Sequence, residues 1–205
     1  MKVYHIDRAG TLKDGQRVEL HSLEELPKEV QDSYFVKDFK YGVSAHGLKY
    51  LNPCVGTHPV LRNFDGHPFL SATDFETEKG MTDSTIIEVI AEIVRRCYFP
   101  SMPSRMVSLF AVKERTDFEQ WPELRNEPKT QYFQIEVPEN THKFDSNLLR
   151  GGLNFGNTGS AWYLGFYASA SFDFAYRYWS GETSANPRFE YLVQLPTAQI
   201  HKLNV

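Results

Sequence analysis

Apolar and polar residues alternate most regularly over residues 132–137, where Phe133, Ile135 and Val137 fall on one side. An alternation with a period of two is typical of a β-strand with one buried face. Shorter apolar stretches predict further strands at residues 3–6, 104–112, 162–167, 189–195 and 198–203.

The clearest helical pattern covers residues 82–99. Isoleucine, valine and cysteine recur there every three or four positions, and Pro100 ends the segment. On this pattern Glu88 and Glu92 face solvent, and Glu92 can pair with Arg96 four residues later. Shorter helices are predicted after the cap residue Ser22, from residue 116, and over residues 171–179.

Strands and helices intermix without the strict alternation of a parallel βαβ sheet. This arrangement favours an α+β fold in which two sheets pack together. The length of 205 residues suits a single domain spanning residues 1–205. Residues 41–80 form an irregular insertion rich in proline and glycine, and its histidines (His46, His58 and His67) are expected in loops without a metal.

The composition narrows the class of protein. A net charge of −4 and a pI near 6.0 do not match a protein that holds duplex DNA by its phosphates. Cys54 and Cys97 form no C-x-x-C unit, so we expect buried or half-buried thiols. The chain starts in strand-like sequence and has no apolar run of bilayer length, so we expect a cytoplasmic protein without membrane contact.

Common catalytic signatures are absent from the sequence. It contains no phosphate-binding loop, no dinucleotide-binding glycine motif, no H-E-x-x-H and no G-x-S-x-G. The histidines are scattered without metal-ligand spacing, so no metal is predicted. What remains is a set of polar residues on predicted strands.

Three such segments follow one another along the chain. They are YHIDR at residues 4–8, PSRMVSLFA at residues 103–111 and FEYLV at residues 189–193. Their order resembles that of the ADP-ribosyltransferase superfamily, in particular its histidine-first branch. This branch includes bacterial toxins that modify DNA, rifamycin-modifying transferases and poly-ADP-ribose polymerases.

The resemblance implies a split pair of packed β-sheets with flanking helices and NAD as a substrate. It implies that Glu190 is the catalytic carboxylate, and that His5 contacts the ribose next to adenine. Ser104 would then lie on the strand that lines the nicotinamide pocket, where Ser108 would bond the carboxamide.

The remaining roles follow from chemistry under the same resemblance. Arg8 and Arg105 would hold the pyrophosphate, because guanidinium groups match phosphate oxygens. Phe110 or a nearby tyrosine would stack on the nicotinamide ring. The carboxylate of Glu190 would stabilise the cationic ribosyl group that forms when nicotinamide leaves.

The sequence departs from the family pattern in two places. A tyrosine is expected on the middle strand, which has Leu109 and Phe110 instead, so residues 162–169 are a rival pocket strand. The E-x-E motif of arginine-specific transferases is absent, because Arg188 stands two residues before Glu190.

The function that follows is mono-ADP-ribosylation of a macromolecule. The acceptor is a nucleic acid base (RNA or DNA) or a protein side chain, with residues 41–80 and 151–160 as candidates for shaping its site. A toxin or phage effector of this kind implies a neutralising antitoxin or immunity protein. Two alternatives remain open: an NAD-dependent RNA 2′-phosphotransferase, and a non-catalytic module that binds ADP-ribose or a partner.

Overall fold

A computed structural model of the chain describes residues 1–51, 61–64, 67–70, 79–121, 124, 128–150 and 163–203. Its strands are β1 Lys2–Asp7, β2 Leu61–Phe64, β3 His67–Leu70, β4 Ser108–Ala111, β5 Gln131–Glu136, β6 Lys143–Asp145, β7 Phe189–Gln194 and β8 Ile200–Lys202. Its α-helices are α1 Lys28–Gln31, α2 Ala45–Leu51, α3 Lys79–Tyr98 and α4 Tyr163–Trp179. Short 3-10 turns cover Leu23–Glu25, Arg105–Val107, Arg115–Gln120 and Ser146–Leu148.

Two antiparallel sheets organise the described part of the chain, in the orders β1-β5-β8 and β4-β7-β6, and β2 pairs with β3 in a separate hairpin. The two sheets meet where Tyr4 and Val112 exchange both backbone hydrogen bonds, each 2.8 Å long. This mixture of helices with antiparallel sheets confirms the α+β class. The exchange also joins the end of β4 to β1, so the polar residues of both strands lie near one seam.

The core lies on both faces of the second sheet. On one face, Val193 packs with Val3 and Phe133 of the first sheet, which are fully buried. On the other face, Leu192 packs with residues of α3 and α4 that include Val94 and Trp179. The alternation along β7 therefore places successive side chains on opposite faces, as expected of a strand that is covered on both sides.

Helix α3 corresponds to the helix predicted at residues 82–99, but the prediction of which residues face solvent was wrong. Glu88 and Glu92, which we expected in solvent, are buried beside Ala91, whereas Ile93 is exposed. The predicted pairing of Glu92 with Arg96 does form, with Nε of Arg96 2.9 Å from Oε1. Both glutamates tolerate burial because each has an arginine partner.

Three further expectations need correction. The strand expected from residue 104 starts at Ser108, because Arg105–Val107 forms a 3-10 turn. Residues 163–169 belong to helix α4, so the rival pocket strand at 162–169 is wrong. Cys97 is exposed rather than buried, because it lies on the outer side of α3.

The region 41–80 contains regular structure within an irregular stretch. Helix α2 places His46 against the core, and β2 and β3 form a hairpin, where loops were expected. The predicted loop at 151–160, Cys54 and His58 lie outside the described residues. None of the helices in the described ranges combines the length and apolarity that a bilayer crossing requires.

Candidate functional site

A cavity of about 350 Å³, here called the first cavity, opens at the seam between the sheets, and both His5 and Glu190 line it. A second cavity of about 730 Å³ adjoins it. The two share six lining residues: His5, Ile6, Arg8, His46, Tyr50 and Phe110. They are therefore neighbouring parts of one cleft that runs past β1 and α2.

Glu190 lies on β7, opposite Phe144 of β6, with a buried carboxylate. Its Oε1 accepts a hydrogen bond of 2.7 Å from the hydroxyl of Tyr178 and another from Nη1 of Arg105. No described residue hydrogen-bonds to Oε2. One oxygen of the carboxylate is thus fixed by the protein in a wall of the first cavity.

Arg105 joins this carboxylate to a second one. Its Nε and Nη2 donate to the two oxygens of Glu88, both at 2.8 Å, and Nη1 also donates to the hydroxyl of Tyr178 at 2.8 Å. These partners replace the pyrophosphate that the sequence assigned to Arg105. Two carboxylates and one guanidinium leave this cluster (Glu88, Arg105 and Glu190) with a net charge of −1.

Glu88 and Arg105 keep their charges at neutral pH. Burial on its own would raise the pKa of Glu88, but the charges of Arg105 and His46 and the hydrogen bonds from Arg105 hold it well below its usual value. Burial would likewise lower the pKa of Arg105, but Glu190 and Glu88 raise it well above its usual range. The pKa of Tyr178 is raised, first by burial, so its hydroxyl stays protonated and can donate to Glu190.

His5 connects β1 to β4 through its side chain. Its Nδ1 lies 2.7 Å from the backbone oxygen of Phe110. Because a carbonyl oxygen can only accept, Nδ1 carries the proton. Burial lowers the pKa of His5 despite the opposing effects of the Phe110 hydrogen bond and the charge of Asp7. The imidazole is therefore neutral at pH 7, and its Nε2 is a hydrogen-bond acceptor.

The ring of Phe110 contacts both Arg105 and His46. It lies 4.5 Å from Cζ of Arg105 and 4.5 Å from the imidazole centre of His46, which also contacts Tyr50 at 4.7 Å. Nε2 of His46 is 3.2 Å from Oε1 of Glu88, an ion-pair distance without hydrogen-bond alignment. The aromatic rings and both carboxylates thus form one continuous wall.

The other predicted residues divide between the cleft and the framework. Arg8 is exposed and lines both cavities. Ser108 lines the second cavity, but its hydroxyl donates to the backbone oxygen of Ser104 at 2.7 Å. Ser104 lines neither cavity, because its hydroxyl donates to Glu92 at 2.8 Å and caps the turn Arg105–Val107. The prediction that Ser104 contacts NAD is therefore not supported by its position.

Sequence reasoning missed three residues of the site: Glu88, His46 and Tyr178. Glu88 shares a helical face with the buried Ala91 three positions later, but the burial of Ala91 is visible only in the fold. Tyr178 is fully buried, and its hydroxyl contact with Glu190 depends on strand β7 packing against helix α4. No sequence signal separates His46 from the other histidines of its region.

Comparisons with known proteins give a family without an activity. A family model described as a protein of unknown function (DUF2441) matches residues 3–204. No curated protein matches the chain. The match includes every described residue of the cleft, but the family description assigns no activity to them.

Proposed function

Because the chain belongs to the DUF2441 family, which carries no assigned activity, we propose from the cleft and from the resemblance of the three strand segments to the ADP-ribosyltransferase superfamily that it is a mono-ADP-ribosyltransferase. The substrate is NAD, and the acceptor is a macromolecule: RNA, DNA or a protein. The antitoxin or immunity protein that the resemblance implies stays part of this proposal.

A single observation carries the proposal: His5 of β1 and Glu190 of β7 line the same cavity. The two residues are 185 positions apart in sequence and lie on different sheets. A carboxylate and a neutral imidazole that meet on one cleft match the two chemical tasks of this reaction. One task is to stabilise a ribosyl cation, and the other is to hold a sugar hydroxyl.

The charge of the cluster supports the first task. The bond between nicotinamide and C1′ of its ribose breaks, and the bonding electrons leave with nicotinamide. The ribose then carries positive charge, which the net −1 of Glu88, Arg105 and Glu190 favours in a partly dry cavity. The acceptor forms the new bond to C1′ and releases its proton.

His5 and two cations of the second cavity support the binding of the rest of NAD. Nε2 of His5 can accept a hydrogen bond from a ribose hydroxyl, since Nδ1 is held by Phe110. Arg8 and Lys49 line the second cavity. Burial lowers the pKa of Lys49, and the positive charge of Arg8 lowers it further. Two neighbouring cations favour an anion between them, and we assign the pyrophosphate to this pair in place of Arg105.

The RNA 2′-phosphotransferase is the weaker alternative. That reaction needs several arginines free to bind an RNA phosphate. Of the two arginines that line the first cavity among the described residues, Arg105 is already bonded to Glu88 and Glu190. The acidic cluster would repel a second phosphate.

The test is the release of nicotinamide from NAD, measured by chromatography with the wild type, Glu190→Gln and the control Glu182→Gln. Glu182 is exposed and pairs with Arg177, so its substitution should leave turnover unchanged. Glu190→Gln should lower turnover about 10²–10³-fold while it still binds NAD, as followed by calorimetry. Undiminished turnover in Glu190→Gln would rule out its catalytic role. If Glu190→Gln binds NAD and the wild type never releases nicotinamide, the result would favour the non-catalytic module.

A further inference from the structure

His46 and Glu88 form a pair on the wall of the first cavity that the proposed role of Glu190 does not use. Nε2 of His46 is buried and lies 3.2 Å from Oε1 of Glu88, while 21% of the histidine side chain is exposed. No described residue hydrogen-bonds to Nδ1. The imidazole therefore has one nitrogen against a carboxylate and the other without a partner among the described residues.

Glu88 is itself held in place. Both of its oxygens accept from the guanidinium of Arg105, at 2.8 Å each. The ring of His46 also packs against the rings of Phe110 and Tyr50. A buried carboxylate that is fixed by an arginine can orient an imidazole and stabilise its protonated form.

We propose that His46, positioned by Glu88, is the general base that accepts the proton of the acceptor. This inference rests on the proposed transferase function. The bond from C1′ to nicotinamide breaks with its electrons on nicotinamide, and the acceptor oxygen or nitrogen bonds to C1′. Its proton passes to Nδ1 of His46, and the charge of the imidazolium is balanced by Glu88.

The other candidates in the cavity are less suited to this step. Oε1 of Glu190 is engaged by Arg105 and Tyr178, and the charge of this carboxylate is needed beside the ribose. His5 has Nδ1 committed to the backbone of Phe110, and its lowered pKa makes it a weak base. The cluster and a neutral His46 carry a net charge of −1. When His46 takes up the proton, this net charge becomes zero, and the ribose loses its positive charge in the same step.

The assignment predicts an acceptor with a removable proton. It also predicts that an anionic nucleophile, which has no proton to lose, does not need His46. In the absence of a macromolecule, water serves as the acceptor and NAD is hydrolysed to ADP-ribose and nicotinamide. This simple reaction is enough for the test.

The experiment follows nicotinamide release from NAD against pH for the wild type and His46→Ala, with and without sodium azide. Wild-type turnover should fall as acidification protonates an imidazole. His46→Ala should lower kcat about 10²–10⁴-fold and lose this fall. Azide should restore its turnover and yield ADP-ribosyl azide, detected by mass spectrometry. Azide should not restore Glu190→Gln.

Several groups besides His46 titrate or carry charge around this cleft. They are His5, Arg8, Lys49, Glu88, Arg105 and Glu190. If the fall in turnover on acidification is lost in His46→Ala but kept in the exposed control His201→Ala, the fall is assigned to His46. His46→Asn, which keeps a polar side chain beside Glu88, serves as a second variant if His46→Ala fails to fold.

The outcomes separate this inference from the function on which it rests. An active wild type with an unchanged pH profile in His46→Ala, or with lost activity that azide does not restore, overturns the role of His46 alone. A wild type that releases no nicotinamide from NAD overturns the proposed function, and the general base with it.

Discussion

The guanidinium of Arg105 and the carboxylate of Glu190 form an ion pair in which each side chain is only 6% exposed. The same guanidinium holds Glu88 from the opposite side. Arg105 is therefore the cation that allows two carboxylates to stand in one wall of a cavity. In the proposed reaction it fixes the position of Glu190 without cancelling the negative charge of the cluster.

Replacing Arg105 with alanine should destabilise the protein strongly. The change leaves Glu88 and Glu190 buried without their cation, and breaking a buried pair in this way costs about 3–5 kcal/mol. Urea unfolding of Arg105→Ala at pH 7 measures the loss. The control is Arg177→Ala, which breaks a solvent-exposed pair with Glu182 and should cost far less. Equal losses in the two variants would contradict the buried pairing.

His5 should make the stability of the protein depend on pH near neutrality. Its pKa in the folded state is lowered from 6.5, chiefly by burial, so the unfolded chain binds the proton more readily. Stability is therefore complete above pH 6.5 and falls as the pH drops from there toward the folded pKa. One such group contributes a slope of at most about 1.4 kcal/mol per pH unit.

Denaturant unfolding of His5→Asn between pH 5 and pH 7.5 tests this dependence. Asparagine can still donate to the Phe110 carbonyl but does not titrate, so the variant should lose stability less steeply on acidification than the wild type does. His201→Asn, at an exposed position, should retain the wild-type slope. A slope that is the same in His5→Asn and the wild type would show that His5 is not responsible.

Strands β1, β5, β7 and β8 and the long helix α3 could be predicted because their patterns are local. The alternation around Phe133 and the apolar period before Pro100 depend on neighbouring residues alone. The face of α3 was misjudged because Glu88 and Glu92 look like solvent residues until their arginine partners are known. These partners include Arg105, which is 17 positions away from Glu88 in sequence.

The residues of the candidate site were predicted from the order of strands along the chain, not from a local pattern. His5 and Glu190 were assigned by the order of their strands along the chain, and the fold brings both to one cavity. Ser104 was misplaced because its neighbour Arg105 starts a 3-10 turn, which turns the serine toward Glu92. His46 was not recognised because its role arises from a contact between helices α2 and α3, which leaves no periodic signal in the sequence.

Ser104→Ala should lower the stability of the protein without affecting the KM for NAD. The hydroxyl of Ser104 donates to the buried carboxylate of Glu92 and accepts from the backbone of Met106. Its loss should cost about 1–3 kcal/mol in thermal or urea unfolding. Because Ser104 lines neither cavity, KM for NAD should stay at the wild-type value.

A matched cap without a buried carboxylate gives the control for this variant. Ser22 accepts from the backbone of Glu24 in the same way, at an exposed turn. Ser22→Ala should therefore cost less than Ser104→Ala. A raised KM in Ser104→Ala would restore the sequence-based assignment of this residue to the NAD site.

Gly47→Ala should move helix α2 and impair the site through His46. The start of the helix is held close to Met106. The backbone N–H and the hydroxyl of Ser44, just before the helix, both donate to the backbone oxygen of Met106, at 2.8 and 3.1 Å. A Cβ at Gly47 would overlap that same oxygen and crowd Val43. Met106 is fully buried, so its backbone has little room to retreat.

Two effects oppose each other in this substitution. Alanine is the better helix former by about 1 kcal/mol, whereas overpacking against a fixed backbone costs about 1–3 kcal/mol. We expect overpacking to dominate, with a lower Tm and a fall in nicotinamide release as His46 shifts away from Glu88. Gly15→Ala is the control, since a Cβ placed there has no described residue within 4 Å apart from its chain neighbours, and only the positive φ is strained. A Gly47→Ala protein that is more stable than the wild type and fully active would show that α2 does not depend on close contact with Met106 to position His46.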